Sequence, residues 1–397
     1  FYIYSCTKYC VLIFLRNVLM APFAAIGLIE GVAEGASSFL KYFSGRTSDL
    51  IKKRKPLAFA GYGFSMLSKL LLIGAGSWPF IFIIRILDRT GKGIRTAPRD
   101  ALITESVEPQ EKGKYFGLHR AMDTAGAFLG VSLVVLIFYF FFRRFLVPEE
   151  QIASIIKIIF ILAFFPALLG LIPFFFIKEV GKTETGDKVG NQRARLFNFR
   201  RFSSKFYTAI FILGLLSFSN ISYAFFILKS QAIGMEIFLL PVLYLVYNFF
   251  YAVFSYPAGK FSDSLGRTRV LTFGFLVLAV VFLGFGFLES KNLIWFLFAL
   301  YGFSFGITDA VARAFISDLA EEQRKGESFG LYHMTVGFAS ILGNLIFGFL
   351  WDKTGSTFPF VLAGFLAIIG SVLLFVFFRS HQGVFQKAGV ENFKGYR

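Results

Sequence analysis

The chain has 397 residues, of which 56% are hydrophobic, only 16% are charged and 57 are Phe. A soluble domain carries about 25% charged residues, and a soluble chain of this length divides into domains with polar surfaces between them, so lipid is the expected solvent. The net charge of +17 would point to nucleic acid in a soluble chain. In a membrane chain it reflects Lys and Arg gathered in cytoplasmic loops, and no nucleic-acid partner is expected.

A membrane-crossing helix needs about 20 largely apolar residues. Twelve stretches qualify in chain order: 1–22, 23–44, 56–77, 79–104, 115–142, 153–177, 204–229, 237–258, 270–288, 291–316, 328–350 and 357–378. Most polar intervals alternate in charge; the one at Arg143-Arg144, only partly balanced by Glu149-Glu150, breaks the pattern. Arg46 to Lys55, Lys178 to Lys205, Lys260 to Arg269, Arg324-Lys325 and the tail from Arg379 are basic. The intervals around Ser77-Trp78 and Glu289 to Lys291 are short and nearly uncharged. This places both termini in the cytoplasm of a multi-pass protein of the plasma (cell inner) membrane. Residues 179–203 read as a flexible cytoplasmic linker. It separates an N-terminal bundle of six helices, 1–178, from a C-terminal one, 204–379, with a tail at 380–397. The fold class is all-α.

The halves repeat. Gly45-Arg-Thr-Ser-Asp49 after the second span matches Gly259-Lys-Phe-Ser-Asp263 after the eighth, 214 residues on. Lys112-Gly113-x-x-Phe116-Gly117-Leu118 before the fifth matches Lys325-Gly326-x-x-Phe329-Gly330-Leu331 before the eleventh, 213 residues on. Two matches in one register indicate duplication. Six helices per copy make it a parallel repeat about an axis along the membrane normal.

These residues carry a resemblance. The chain resembles the major facilitator superfamily, whose loop after helix 2 reads Gly-x-x-x-Asp-x-x-Gly-Arg-Lys/Arg, with a weaker copy after helix 8. The second copy here keeps Gly259, Asp263, Gly266 and Arg267. The first keeps Gly45, Asp49 and a basic cluster that includes Lys53, but has Lys52 in place of Gly, which leaves its tight turn in question. Arg85 resembles the family's helix-4 arginine, with Arg89 where Gly is usual. The resemblance covers nearly the whole chain. It implies alternating access by two rocking bundles, with Asp49 and Asp263 capping or pairing with neighbouring helices when the cytoplasmic side is shut. Arg95 and Arg99, near the cytoplasmic end of the fourth span, join this gating set.

A charge near the bilayer centre costs about 2.5–3.5 kcal/mol, so one that persists faces a cavity or a partner. In the fourth span Arg85, Asp88, Lys92, Arg95 and Arg99 fall within roughly 80° on a helical wheel, with Arg89 at the edge. That stripe must face protein or water. Two readings stay open: positive potential for an anionic substrate, or salt bridges between bundles. Glu30 and Glu34 share a face of the second span with Lys41. They are candidates for carrying a coupling proton or for acting as counter-ions to the arginines. His119, Arg120 and Asp123 cluster within a turn of the fifth span. In the tenth, Asp309 and Arg313 are spaced to pair with each other. The working ionisable residues are therefore expected mainly in the N-terminal half.

Cys6 and Cys10, and the scattered His119, His333 and His381, make neither a disulfide framework nor a metal cluster. No metal or cofactor is expected. No cleavable leader precedes the first apolar stretch, and the start at Phe1 leaves the true N-terminus open. No catalytic arrangement or P-loop stands out, and Gly91-x-Gly93 lacks the context of a nucleotide loop, so an enzyme is not expected. The expected function is secondary transport of a small organic, anionic solute across the lipid bilayer, coupled to protons. The alternatives are a drug or cation antiporter, or a sensor without transport.

Overall fold

The structure is a computed structural model. It describes residues 11, 14–15, 19, 23–142, 149–176, 202–221, 223–235, 239–287 and 289–379. Most of the first predicted span, nearly all of the linker and the tail lie outside the described residues, as does the side chain of Glu30. Every regular element among the described residues is helical.

The N-terminal half contributes α1 (Phe23–Leu50), α2 (Lys55–Ile73), α3 (Trp78–Glu105), α4 (Lys112–Phe142) and α5 (Glu149–Leu169). The C-terminal half contributes α6 (Ser204–Phe218), α7 (Tyr223–Ala232), α8 (Leu240–Leu265), α9 (Arg267–Phe287), α10 (Lys291–Leu319), α11 (Lys325–Thr354) and α12 (Thr357–Arg379). The boundaries follow local chemistry. Pro56 and Pro79 occupy first-turn positions, where the missing N–H costs nothing. The Ser203 side chain accepts the Phe206 N–H and caps α6. Gly266 (φ 93°) turns the chain from α8 into α9. The seventh predicted span is two helices, α6 and α7. Ser217 and Ser219 bond back to the carbonyls of Leu213 and Leu216 next to the break, where such local bonds compete with the helix ladder.

Lys55–Ile73, Lys157–Phe176, Arg267–Phe287, Lys291–Leu319, Lys325–Thr354 and Thr357–Phe378 are each long and apolar enough to cross a bilayer. Their outward faces carry residues such as Phe175, Phe176 and Phe287, each about two-thirds or more exposed. Water would not tolerate so much exposed aromatic surface. Inside the C-terminal half, Phe226 of α7 packs against Phe282, Phe285, Tyr301 and Phe360. Inside the N-terminal half, α3 lies against both α1 and α2.

The halves meet along two equivalent seams, α1 against α11 and α4 against α8. Glycines make the approach possible at the ends that carry the basic loops. A methyl group on Gly45 would lie 2.0 Å from the Gly326 carbonyl oxygen, and one on Gly259 would lie 2.1 Å from that of Gly113. Between the seams, Thr104 and Ser317 share a hydrogen bond of 3.1 Å, and the Phe116 and Phe329 rings pack 5.9 Å apart. Each of these pairs joins positions 213 residues apart, so a pseudo-twofold axis passes between them, as an isologous contact requires.

Gly259→Val is expected to prop the seam open at this end. A cysteine introduced at the buried Ser317, with Cys6 and Cys10 replaced by Ser, should react with a water-soluble maleimide at least tenfold faster in the Gly259→Val background than without it.

Candidate functional site

The loop motifs form a duplicated latch at the basic end. Asp49, at the end of α1, accepts the backbone N–H groups of Gly326 (3.0 Å) and Glu327 (2.6 Å) at the start of α11 in the other half. Asp263 returns the contact, accepting those of Gly113 (3.0 Å) and Lys114 (2.8 Å) at the start of α4. The first amides of a helix have no partner within it and carry the positive end of its dipole, so a carboxylate is well placed there.

An arginine holds each carboxylate. Arg267 pairs with Asp263 (2.5 Å) and Asp318 (3.0 Å) and bonds the Ser262 hydroxyl (2.7 Å). In the first copy Arg54, not Lys53, has this place: it pairs with Asp49 (2.7 Å) and Glu105 (2.7 Å) and bonds Ser48 (2.8 Å). Lys53 points to solvent. The motif's register therefore shifts by one residue, because a guanidinium can bridge two carboxylates and a hydroxyl at once where an ammonium cannot. Burial opposes the charge on Arg54, but Glu105 and Asp49 outweigh it and hold the guanidinium above its ordinary range. Lys52 still makes the tight turn, taking a left-handed φ of 50° that favours Gly.

Deeper in, the α3 stripe is buried and paired mostly within its own half. Arg85, Asp88, Arg89 and Arg95 are each at most 3% exposed. Asp88 receives Lys69 of α2 (2.9 Å) and Ser68 (3.2 Å), with Arg85 at 3.8 Å. Glu34 of α1 pairs with Arg89 (2.8 Å) and faces Lys92 at 3.8 Å. Arg95 bonds Ser65 (2.6 Å) and lies over the Tyr62 ring.

Between this stripe and the latch a second ionic network crosses the seam. Asp100 of α3 is fully buried; it accepts Arg99 (2.8 Å) and meets His333 of α11 at 2.7 Å. Arg313 of α10 reaches Asp309 (3.1 Å), with its Nε 4.0 Å from Asp100. Asp309 also pairs with Arg120 of α4 (2.5 Å) and accepts Tyr251 of α8 (2.7 Å). Arg120 pairs with Asp123 (2.9 Å) and bonds Tyr251 as well. His119 lies beside this group, its Nδ1 buried with no hydrogen bond.

The structure thus brings Asp100, Arg120, Tyr251, Asp309, Arg313 and His333 together, and the second half is not the quieter one. Asp309 and Arg313 do pair, but they also cross to the first half. One signal for this was present in the sequence. At the offset of 213, Asp100 corresponds to Arg313 and Arg120 to His333, so the ionic positions are duplicated with changed charges.

A duplicated helical membrane fold whose halves close over buried ion pairs defines a membrane transporter of the two-bundle type. The Major Facilitator Superfamily profile matches residues 3–247 and again 210–392. An MFS-type transporter of Methanocaldococcus jannaschii is 39% identical over 356 residues, 88% of this chain and 85% of its own length. The hexuronate transporter of Bacillus subtilis is 23% identical over 399 residues, 95% of this chain and 91% of its own length. The solved structure of the proton:xylose symporter XylE shares the fold with a TM-score of 0.76 at 15% identity, covering 94% of this chain and 92% of that one. The chain belongs to the major facilitator superfamily.

Removing one partner of a buried ion pair leaves an uncompensated charge, at about 3–5 kcal/mol. Arg54→Ala strands both Asp49 and Glu105 and is expected to lose that much unfolding free energy in mixed micelles. Lys53→Ala should stay within about 0.5 kcal/mol of the unaltered protein.

Proposed function

We propose that this protein is a secondary active transporter of a small organic anion, working by alternating access and coupled to protons. One observation carries the reading. In the spans 23–44, 56–77, 79–104 and 291–316, six cations are more than nine-tenths buried (Lys41, Lys69, Arg85, Arg89, Arg95 and Arg313), against two carboxylates, Asp88 and Asp100, among the described residues. Each buried charge costs several kcal/mol unless compensated, so the interior favours an anionic guest. A relative that carries hexuronates, which are sugar carboxylates, supports the same charge class of cargo.

In this reading Arg89 and Lys92, with Arg85 behind them, set the positive potential of the path. Glu34 is partly exposed and bridges Arg89 and Lys92, and it is the candidate for exchanging a proton when the solute arrives, with Glu30 one turn earlier. Asp88 anchors Arg85 and Lys69, while His119, Arg120 and Asp123 connect the path to the seam. The latch of Asp49 and Asp263, with Gly45, Gly259, Gly266 and Arg267, shuts the cytoplasmic side, and Arg95 and Arg99 lie just inside it. The basic loops and both termini face the cytoplasm of the plasma (cell inner) membrane. Residues 1–178 and 204–379 move as the two bundles, joined by 179–203.

The test is proton movement in proteoliposomes driven by a panel of hexuronates, aldonates, dicarboxylates and cationic drugs. At least one carboxylate is expected to move protons saturably, with Arg89→Ala lowering the rate at least tenfold. A signal from cations alone, removed by Glu34→Gln, would make the protein a drug or cation antiporter instead.

A further inference from the structure

The buried cations are not equally provided for. Lys69, Arg89, Arg99 and Arg120 each hold a carboxylate within 3 Å. Lys41 of α1 does not. It is 7% exposed, and its ammonium has no ion pair or hydrogen bond among the described residues. Its helix packs on Gly330 of α11, three residues before His333, which meets Asp100 at 2.7 Å. Its backbone is at the seam itself: a methyl on Gly330 of α11 would come within 2.7 Å of the Lys41 carbonyl oxygen. The equivalent close approach, Gly117 to Ser255, has a serine in place of the lysine.

Arg313 is a second cation without a carboxylate within 3 Å; Arg85 faces Asp88 at 3.8 Å and Arg95 bonds Ser65. It is 6% exposed, and only its Nη2 is engaged, by Asp309; Nε and Nη1 are buried without a hydrogen bond. The carboxylate that would serve it, Asp100, is taken up by Arg99 and His333 and stays 4.0 Å away. Around this point the seam holds Lys41, Arg99, Arg120 and Arg313 with Asp100, Asp123 and Asp309, while Glu34, on the same helix as Lys41, is engaged by Arg89 and Lys92.

We propose that Lys41 and Arg313, one from each half, form an oxyanion site on the seam that receives the carboxylate of the transported solute. A carboxylate accepts several N–H donors at once, and bonds to charged donors are the strong ones. The site consists of an ammonium and two guanidinium nitrogens that have no hydrogen bond among the described residues, and it exists only while the halves are together. A bound anion therefore favours the state in which the seam is closed, by its difference in affinity between the two states. The site rests on the anion-transport reading and adds the residues that grip the charge and the state that binds it.

The test is thermal stability and anion binding of the purified full chain, with D-glucuronate and D-galacturonate as carboxylate probes and sulfate as an inorganic one. Unaltered protein is expected to be stabilised by a carboxylate probe. Lys41→Met and Arg313→Gln should each weaken that probe at least tenfold, and Lys53→Met should not. Lys41→Met removes a buried charge that has no ion pair among the described residues, so its melting temperature without ligand should be equal to or above that of the unaltered protein. Lys41→Gln, which keeps a hydrogen-bond donor without the charge, is the second variant and should also lose at least tenfold. If the protein transports carboxylates and both Lys41 variants bind them at full strength, the seam site is wrong and the anion reading stands. If sulfate alone stabilises the protein, through the same two residues, the site serves a free anion and the assignment to the solute is overturned. If no anion in the transport panel is carried or bound, the functional reading fails, and the seam site with it.

Discussion

The architecture depends on a carboxylate from each half that caps a helix in the other. Asp49 takes the free amides that begin α11, and Asp263 takes those that begin α4. Such amides must find a partner, and in a membrane there is little water to supply one. The exchange is reciprocal, so it fixes the two halves in rotation as well as in distance. Glycines follow from it. At that separation the backbones of Gly45 and Gly326, and of Gly113 and Gly259, leave no room for a side chain. Arg54 and Arg267 follow as well, since the capping carboxylates are largely shielded from solvent and need a fixed cation.

Inside the latch the charges are arranged so that they can change partners. Arg120 has Asp123 on its own helix and Asp309 across the seam; Asp309 has Arg313 on its own helix. Asp100 has Arg99 beside it and His333 across the seam. Under the proposed alternating access, parting the halves breaks Arg120–Asp309 and Asp100–His333. Each charged group then keeps a partner within its own half. The cost of an orphaned buried charge, about 3–5 kcal/mol, is avoided on both sides. Lys41 stands outside this scheme, and the proposed solute carboxylate fills that place.

Much of the fold was legible because its causes are local or periodic. Apolar length gave most of the helices, and the 213–214 offset gave the duplication. The helical wheel identified the α3 stripe, since a charged face in lipid needs a partner. The break between α6 and α7 was missed because the residues at the break, Ser217 to Tyr223, include neither Gly nor Pro. The site was less legible because its bonds join residues that are far apart in the chain. Asp100 and His333 lie 233 residues apart, and nothing local to His333 marks it as a partner. Lys41 looked like a neighbour of Glu34 on one helix face; that Glu34 turns to Arg89 and Lys92 instead is displayed only by the assembled interior. Lys53 was favoured over Arg54 by alignment to the second motif, and the turn at Lys52 moved the register by one.

The most direct test of the reciprocal latch is a distance measurement across it by electron spin resonance. Labels go on cysteines at the exposed Lys53 and Gln323, with Cys6 and Cys10 replaced by Ser. The unaltered protein is expected to give one short, narrow distance. Asp49→Asn and Asp263→Asn should each broaden it to a similar degree, and together they should move most of the population to longer distances. A double variant that keeps the short distance, or a response to only one of the two aspartates, would contradict the claim that paired helix caps hold the halves together.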